Sequence, residues 1–465
     1  MKGFVPTPSK IVDLMVSGLF WRKPPTAASL VLDPGCGDGT FIEGILRWRE
    51  KRNVPMPRII GIESHPSRVR EARAKFNSCR RVEIREEDFL AERNDEHFDF
   101  IIGNPPYVPI TGLSEREKAS YRRIFSTAQG RFDLYILFFE RALERLKPNG
   151  RLIFITPEKF LYVETAAELR RLLAQVQVEQ IHLVNEDTFG KLITYPTITS
   201  VRKALPTSLT LVRLRSGKTV ALALPGDGRS WLPHINRDAT DNSNRPTLEN
   251  VCDRISCGVA TGADSAFVRK EGAIERDITS FAFPTIAGRQ LREENPDLIS
   301  DLAMLIPYHR DGTLMDEREL GPLRRYLLRP AVLEKLVSRT CVERKPWYAF
   351  HETPPLADIL RPKILCKDIT AQPRFWIDKS GRLVPRHSVY YIVPRDPNEI
   401  AELCAYLNSD IAHRWLTSHC QRAANGFLRL QSRILKQLPI PERFARARTC
   451  DRGRPRQLVL TAAEA

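Results

Sequence analysis

No stretch of the 465 residues comes near the roughly 20 consecutive apolar residues that a membrane-spanning helix requires. The opening MKGFVPTPSK also lacks the apolar core of a secretion signal, so a cytoplasmic protein without membrane contact is expected. Cysteine is sparse and scattered. Of nine, only Cys252 and Cys257 are close, and no histidine stands at zinc-ligand spacing. Reduced, mostly buried thiols and no metal follow. There is no internal repeat and no low-complexity tract. Two nucleotide-binding signatures are missing as well: the spacing G-x-G-x-x-G and the Lys-Ser/Thr ending of a phosphate loop. No acid-acid-lysine nuclease cluster stands out, and two ordinary domains fill this length, so no cleavage domain is expected.

What is there is a globular composition, 42% hydrophobic and 28% charged, with its charge unevenly spread. The formal net charge is +16, yet residues 321–390 carry 14 Lys or Arg against 6 acids and residues 411–456 carry 11 against 2, leaving the remainder near neutral. A cationic surface confined to the C-terminal half points to a polyanion, of which nucleic acid is the commonest. A basic solubilising surface is the plainer alternative. Arg outnumbers Lys in both stretches, and Trp347, Tyr348, Phe375 and Trp376 are interleaved, which favours recognition.

The first 200 residues alternate short apolar strands with amphipathic helices. Ser29 to Leu32, Arg58 to Ile62, Val82 to Arg85, Phe98 to Ile102, Arg151 to Ile155 and Gln180 to Val184 read as strands. Thr40 to Lys51, Arg68 to Phe76, Leu134 to Leu146 and Thr165 to Leu173 carry apolar residues at helical spacing. Such alternation predicts an α/β domain with a mostly parallel, doubly wound sheet, and ligands at the carboxyl ends of its strands. Residues 225–247, rich in Gly, Pro, Asn and Asp, read as a linker. That leaves 1–224 as one domain and 248–465 as a second, irregular α+β domain.

Chemistry gathers at the strand ends. After the first strand comes Asp33-Pro-Gly-Cys-Gly-Asp-Gly-Thr-Phe41, a turn whose glycines let backbone approach a ligand before a helix begins. The second strand ends in Glu63, where a nucleotide binder of this architecture holds ribose hydroxyls with an acid. The third ends in Glu87-Asp88-Phe89, a carboxylate for an adenine amine and a ring for its face. The fourth ends in Asn104-Pro-Pro-Tyr107, where two prolines stop both helix and inner strand. Two acceptors, the Asn104 side-chain oxygen and the Pro105 carbonyl, suit a planar amine whose lone pair must be freed for attack. Asn104 has no basic lone pair of its own, so the pattern speaks for positioning and electrostatics rather than proton abstraction.

In this order the motifs resemble those of the S-adenosylmethionine-dependent DNA adenine-N6 methyltransferases, in the gamma arrangement of the TaqI-type restriction-modification methylases. Phe4-Val-Pro-Thr-Pro8 is similar to the segment before the glycine turn, and Phe132-Asp-Leu-Tyr135, Leu146 to Phe154 and Pro157-Glu-Lys-Phe160 extend the likeness over most of residues 4 to 203. Farther on it thins to Gly258 to Gly262, Ala266 to Val268, Lys363 to Leu365 and Gly426 to Pro441. The resemblance implies a Rossmann-like class I methyltransferase domain followed by a DNA target-recognition domain. It implies S-adenosyl-L-methionine as cofactor, with Thr7 and Gly35 near its methionine part, Asp33 near its amino group, Glu63 on the ribose, Asp88, Phe89 and Phe138 around the adenine, and Asn104 also among the cofactor-binding residues. Phe138 as a plain core residue is the alternative. Asn104, Pro105, Pro106 and Tyr107 are the implied catalytic residues. Tyr107 would stack on the flipped base, with Phe189 on its other face and Tyr195 as the rival for that role. The implied partner is double-stranded DNA, together with a restriction endonuclease acting on the same site, in a DNA-associated prokaryotic setting. No symmetric interface is visible, and a monomer is expected. Methyltransferases of RNA guanine or of a protein glutamine amide share Asn-Pro-Pro-Tyr, but leave the basic second domain without a task.

Overall fold

The computed structural model describes residues 6–91, 96–185, 195–236, 245–423 and 426–446. The chain divides into two units, residues 1–237 and 238–465. In chain order the first unit runs through α1 (Ser9–Phe20), β1 (Leu30–Pro34), α2 (Thr40–Arg52), β2 (Arg58–Glu63), α3 (Pro66–Phe76), β3 (Val82–Glu86) and β4 (Phe98–Gly103). It continues with α4 (Glu115–Ile124), α5 (Leu134–Arg145), β5 (Leu146–Pro157), α6 (Ala167–Ala174), β6 (Gln177–Leu183), β7 (Pro196–Arg202), β8 (Thr210–Arg213) and β9 (Thr219–Leu222).

These strands form one sheet in the order β3-β2-β1-β4-β5-β7-β6-β8-β9. From β3 to β5 every pairing is parallel, and β7 then runs antiparallel between β5 and β6. Parallel strands covered on both faces read as continuous apolar runs, and β4 shows this with Phe98, Phe100, Ile101 and Ile102 all buried. One face packs the ring-rich α5 and the short α6 around Phe98, Tyr135, Phe139, Phe154 and Phe160. The other packs α1, α2 and α3 around Val16, Phe20, Ile42, Phe100 and Ile153. In α1 the buried Ile11, Val12, Met15, Val16, Leu19 and Phe20 recur every three to four residues, one apolar stripe of a helix. The mostly parallel α/β sheet expected from the alternating pattern is present.

Within the stretch read as a linker, residues up to Asn236 lie against the first unit. Trp231 is fully buried in its core. The buried Arg170 guanidinium donates to the carbonyls of Phe160, Val163, Gly228 and Arg229, at 2.6 to 3.0 Å. A guanidinium can be buried only when its donors are matched in this way.

The second unit is an α+β arrangement of short elements. A four-stranded antiparallel sheet joins Cys252–Cys257, Val389–Pro394, Lys363–Lys367 and Phe375–Asp378. A second sheet joins Val268–Lys270, Leu302–Leu305, Ala282–Ile286 and Val384–Pro385. A three-stranded ribbon pairs Ile369–Thr370 and Gln421–Arg422 with Leu428–Arg429. Inside the first of these sheets Lys363 and Asp378 form a buried ion pair at 2.6 Å. No helix among the described residues is long and apolar enough to cross a membrane.

Candidate active site

The carboxyl ends of β1, β2 and β4 build the site. After β1 the chain turns through Gly35, Gly37 and Gly39, all at positive φ (114°, 57° and 87°), conformations open to glycine at little cost. The amides of Gly35 and Cys36 donate to the Ile62 carbonyl at 2.8 and 2.9 Å, which ties the turn to the end of β2. Glu63, the next residue, accepts from the amides of Gly37 at 3.0 Å and His65 at 2.8 Å, and Arg68 stands 3.8 Å from the same carboxylate. A carboxylate offers about four acceptor sites, so Glu63 braces the turn and keeps capacity for a further donor.

Asp33 is different. It is wholly buried, and neither carboxylate oxygen has a hydrogen-bond partner. Burial raises its pKa well above the ordinary value, and the nearby charges of Glu63 and Asp38 push in the same direction. Gly103 on β4 makes room for it, since a Cβ there would lie 3.1 Å from Asp33 Oδ1. A buried acid without a partner is costly unless a cationic group arrives to complete it. A ligand carrying positive charge, as the sulfonium and ammonium of S-adenosylmethionine do, meets that requirement. Beside Asp33 stand the carboxyl groups of Glu63 and Asp38.

Phe89 and Phe138 are buried with ring centroids 5.3 Å apart, and Phe138 lies 3.7 Å from where a Cβ on Gly35 would sit. They wall the turn on one side. Asp88 is exposed, with Oδ1 accepting from the Leu90 amide at 3.0 Å. Its neighbour Glu87 has a buried Oε2 with no hydrogen-bond partner. The sequence marks Glu87 only as part of a strand end, because an acid's burial follows from the way the strand meets its neighbours.

At the end of β4 Asn104 is half-buried, and its Nδ2 donates to Thr7 Oγ1 at 3.0 Å. This bond fixes which way the amide faces: the amino end is held toward Thr7, just before α1, and the oxygen lies on the other side. Pro105 is buried, while Pro106 and Tyr107 are half-buried. The loop is clamped beyond them, where Leu134 donates to the Val108 carbonyl at 2.9 Å and Ile110 to the Phe132 carbonyl at 3.0 Å. The Tyr107 ring meets Tyr135 edge-on, 6.4 Å between centroids, and its hydroxyl reaches the Ile155 carbonyl at 3.4 Å. Burial pushes the Tyr107 phenol up, so it stays protonated. Tyr135 is the supporting ring that the sequence names only within Phe132-Asp-Leu-Tyr135, since its role depends on where α5 is laid.

The candidates thus gather around one turn: Thr7, Asp33, Gly35, Glu63, Phe89, Phe138 and Asn104 to Tyr107. Phe189 lies outside the described residues. Tyr195 is half-buried and carries the Arg215 guanidinium 5.2 Å from its ring centroid, so one of its faces is occupied; Arg215 is held there by Glu158 at 2.5 Å.

Residues 57–189 match the family described as Eco57I restriction-modification methylase, and residues 331–440 match the TaqI-like C-terminal specificity domain. The Type II methyltransferase M.PaeR7I of Pseudomonas aeruginosa is 26% identical over 505 residues, covering 95% of this chain and 86% of that protein. M.XhoI of Xanthomonas vasicola, also a Type II methyltransferase, is 26% identical over 76% of this chain and 70% of its own. The fold resembles that of a solved Type IIL restriction-modification enzyme, MmeI in complex with DNA, with a TM-score of 0.63 at 14% identity, over 93% of this chain and 63% of that one. Domain for domain, the chain resembles the TaqI-type restriction-modification methylases, DNA methyltransferases, and S-adenosyl-L-methionine is its expected cofactor.

Proposed function

We propose that the chain methylates the N6 amine of an adenine turned out of duplex DNA, as the modification half of a restriction-modification pair whose endonuclease acts on the same sequence. The observation that carries this reading is the Asn104 amide, held by Thr7 through its nitrogen beside the buried Pro105, one strand away from the unpartnered Asp33. The cofactor supplies a methyl group on positively charged sulfur. Asp33 would hold its ammonium group and Glu63 its ribose, with Phe89 and Phe138 against its adenine and Asp88 at the adenine's amine. Thr7 and Gly35 would lie near its methionine part.

The chain's own part in the reaction is to prepare the nucleophile. An exocyclic adenine amine is poor because its lone pair is spread into the ring. Asn104 Oδ1 and the Pro105 carbonyl would accept its two hydrogens, draw the nitrogen toward a tetrahedral shape and aim the lone pair at the methyl group. Proline serves here because its fixed φ sets the direction of that carbonyl, with no amide hydrogen of its own. The base has to leave the helix to reach such a pocket, at a cost of a few kcal/mol. Stacking on Tyr107 contributes roughly 1–3 kcal/mol in return. Phe189 or Tyr195 is the proposed second ring. Basic side chains of residues 321–390 and 411–456, apart from buried ones such as Lys363 and Arg339, would neutralise phosphates. The chain is proposed to act as a monomer in the prokaryotic cytoplasm.

Transfer of a labelled methyl group to duplex DNA, to RNA and to a release factor in parallel tests the reading. Label on DNA, recovered as N6-methyladenine at a single sequence context, is expected. Label on a pyrimidine, or on RNA or protein alone, overturns it.

A further inference from the structure

Away from the strand ends, the first unit holds a cavity of about 330 Å³ between α1 and the sheet strands β5 to β8. Its floor follows from the register. Ile198 of β7, His182 of β6 and Arg213 of β8 lie side by side in one row, and Ser200, Gln180 and Leu211 in the next. Its wall is Leu14 and Gly18 of α1, with Trp21 and Arg22 just past the end of the helix. A Cβ on Gly18 would lie only 3.4 Å from Ile153, so the small residue lets the helix lie close to β5.

Two features set this cavity apart from a gap in packing. Two of the arginines that line it, Arg22 and Arg213, lack counter-charge. Among the described residues Glu179 is the one acid lining it, and it is engaged by Arg151 at 2.8 Å and Arg202 at 3.9 Å. Arg22 and Arg213 have no carboxylate within ion-pair reach among the described residues. Arg213 stands beside His182 on the adjacent strand. Burial first and then Arg213 lower the His182 pKa, so the imidazole stays neutral beside the guanidinium. The cavity also keeps flat and apolar surface in water, with Trp21 80% exposed and Leu14 and Leu211 more than 40%. Two unpaired arginines beside a solvent-facing indole, with the Gln180 amide and the Ser200 hydroxyl on the floor between them, match one ligand chemistry: a phosphate joined to a flat base. The volume, at the low end of the usual range for ligand pockets, suits a single nucleotide.

We propose that this cavity is a nucleotide-binding site separate from the cofactor and base pockets, with Arg213 and Arg22 on the phosphate, Trp21 on the base face and Gln180 on the base edge. Its ligand is either a free mononucleotide or one nucleotide of a single strand, which share this chemistry.

Calorimetric titration of the full chain with AMP, inorganic phosphate and a short single-stranded oligonucleotide tests the site, with saturating S-adenosylhomocysteine filling the cofactor pocket. Saturable one-to-one binding of AMP or of the oligonucleotide is expected, weakened about ten-fold or more by Arg213→Glu and by Trp21→Ala, with phosphate alone binding more weakly. Tighter AMP identifies the free nucleotide and a tighter oligonucleotide the strand, and either supports the site. Both replaced side chains are exposed and outside the proposed catalytic residues, so methyl transfer and folding stay unchanged. The proposal fails if no probe binds saturably, if binding ignores both substitutions, or if phosphate binds as tightly as AMP.

Discussion

Two buried aspartates, one in each unit, separate architecture from site. Asp378 of the second unit is paired with Lys363 at 2.6 Å and accepts from the amides of Gly381 and Leu383 and from the Ser380 hydroxyl. Asp33 of the first unit is buried as deeply and has no partner for either oxygen. The same side chain, equally removed from water, is in one case fully matched by its own chain and in the other left waiting. Matched, it holds the bend that follows it and a strand pair. Unmatched, at the end of a parallel strand beside a glycine turn, it is a place that something from outside completes.

The sharpest way to break this contrast is to unmatch Asp378. Lys363→Met leaves a buried carboxylate uncompensated, and a loss of about 3–5 kcal/mol in unfolding free energy is expected by chemical denaturation, with cofactor affinity of the folded protein unchanged. A loss below about 1 kcal/mol would mean that the pair is not the anchor its geometry describes. Next in size is Asn104→Ala. On the proposed mechanism it lowers kcat by about 10²–10³-fold, the usual effect of deleting one preorganised partner of the transition state, while denaturation is nearly unaffected. Single-turnover methyl transfer checks this, and retained activity would remove Asn104 from the chemistry.

Asp33→Asn comes third, and its sign is informative. A carboxyl whose folded pKa is raised holds its proton in the native state while the unfolded chain has released it, so stability is lost as pH rises from the ordinary carboxylate range through the folded pKa. The apo protein should therefore lose thermal stability over that window, and Asp33→Asn should abolish the dependence. Cofactor affinity should move the other way: it should rise with pH as Asp33 ionises, and fall about 10- to 100-fold in Asp33→Asn, in line with the 1.5–3 kcal/mol of a charged hydrogen bond. Calorimetry across pH measures both. If the wild-type and variant stability profiles have the same shape, Asp33 carries no raised pKa.

The two units also differ in how far sequence pattern reaches. In the first, the runs from Ser29, Arg58, Val82 and Phe98 became β1 to β4 within a residue or two: β1, β2 and β4 are mostly apolar because both their faces are buried, while the edge strand β3 alternates apolar and charged residues. The antiparallel β7 escapes notice, as Pro196-Thr-Ile-Thr-Ser-Val-Arg202 opens on proline and alternates threonine with apolar residues. Residues 225–236 read as a linker from their Gly and Pro, while Trp231 and the carbonyls that Arg170 binds draw them onto the first unit. In the second unit, strands of two to six residues carry too few positions for any period to register. The site was legible where it rests on strand ends and proline. The bond from Asn104 to Thr7 spans 97 residues of chain, and no local pattern records it.

The smallest expected effect separates ring from hydroxyl at Tyr107. The hydroxyl contact with Ile155 is long, 3.4 Å, and its loss in Tyr107→Phe should alter kcat/KM by about 0.5 kcal/mol or less. Tyr107→Ala removes the surface on which the base would stack and should cost roughly 1–3 kcal/mol in kcat/KM. The Tyr135 ring, edge-on to Tyr107, holds the same orientation in the Phe variant, so the two substitutions differ only in what is left to meet a base. Equal losses in both variants would assign Tyr107 to hydrogen bonding and remove it from base stacking.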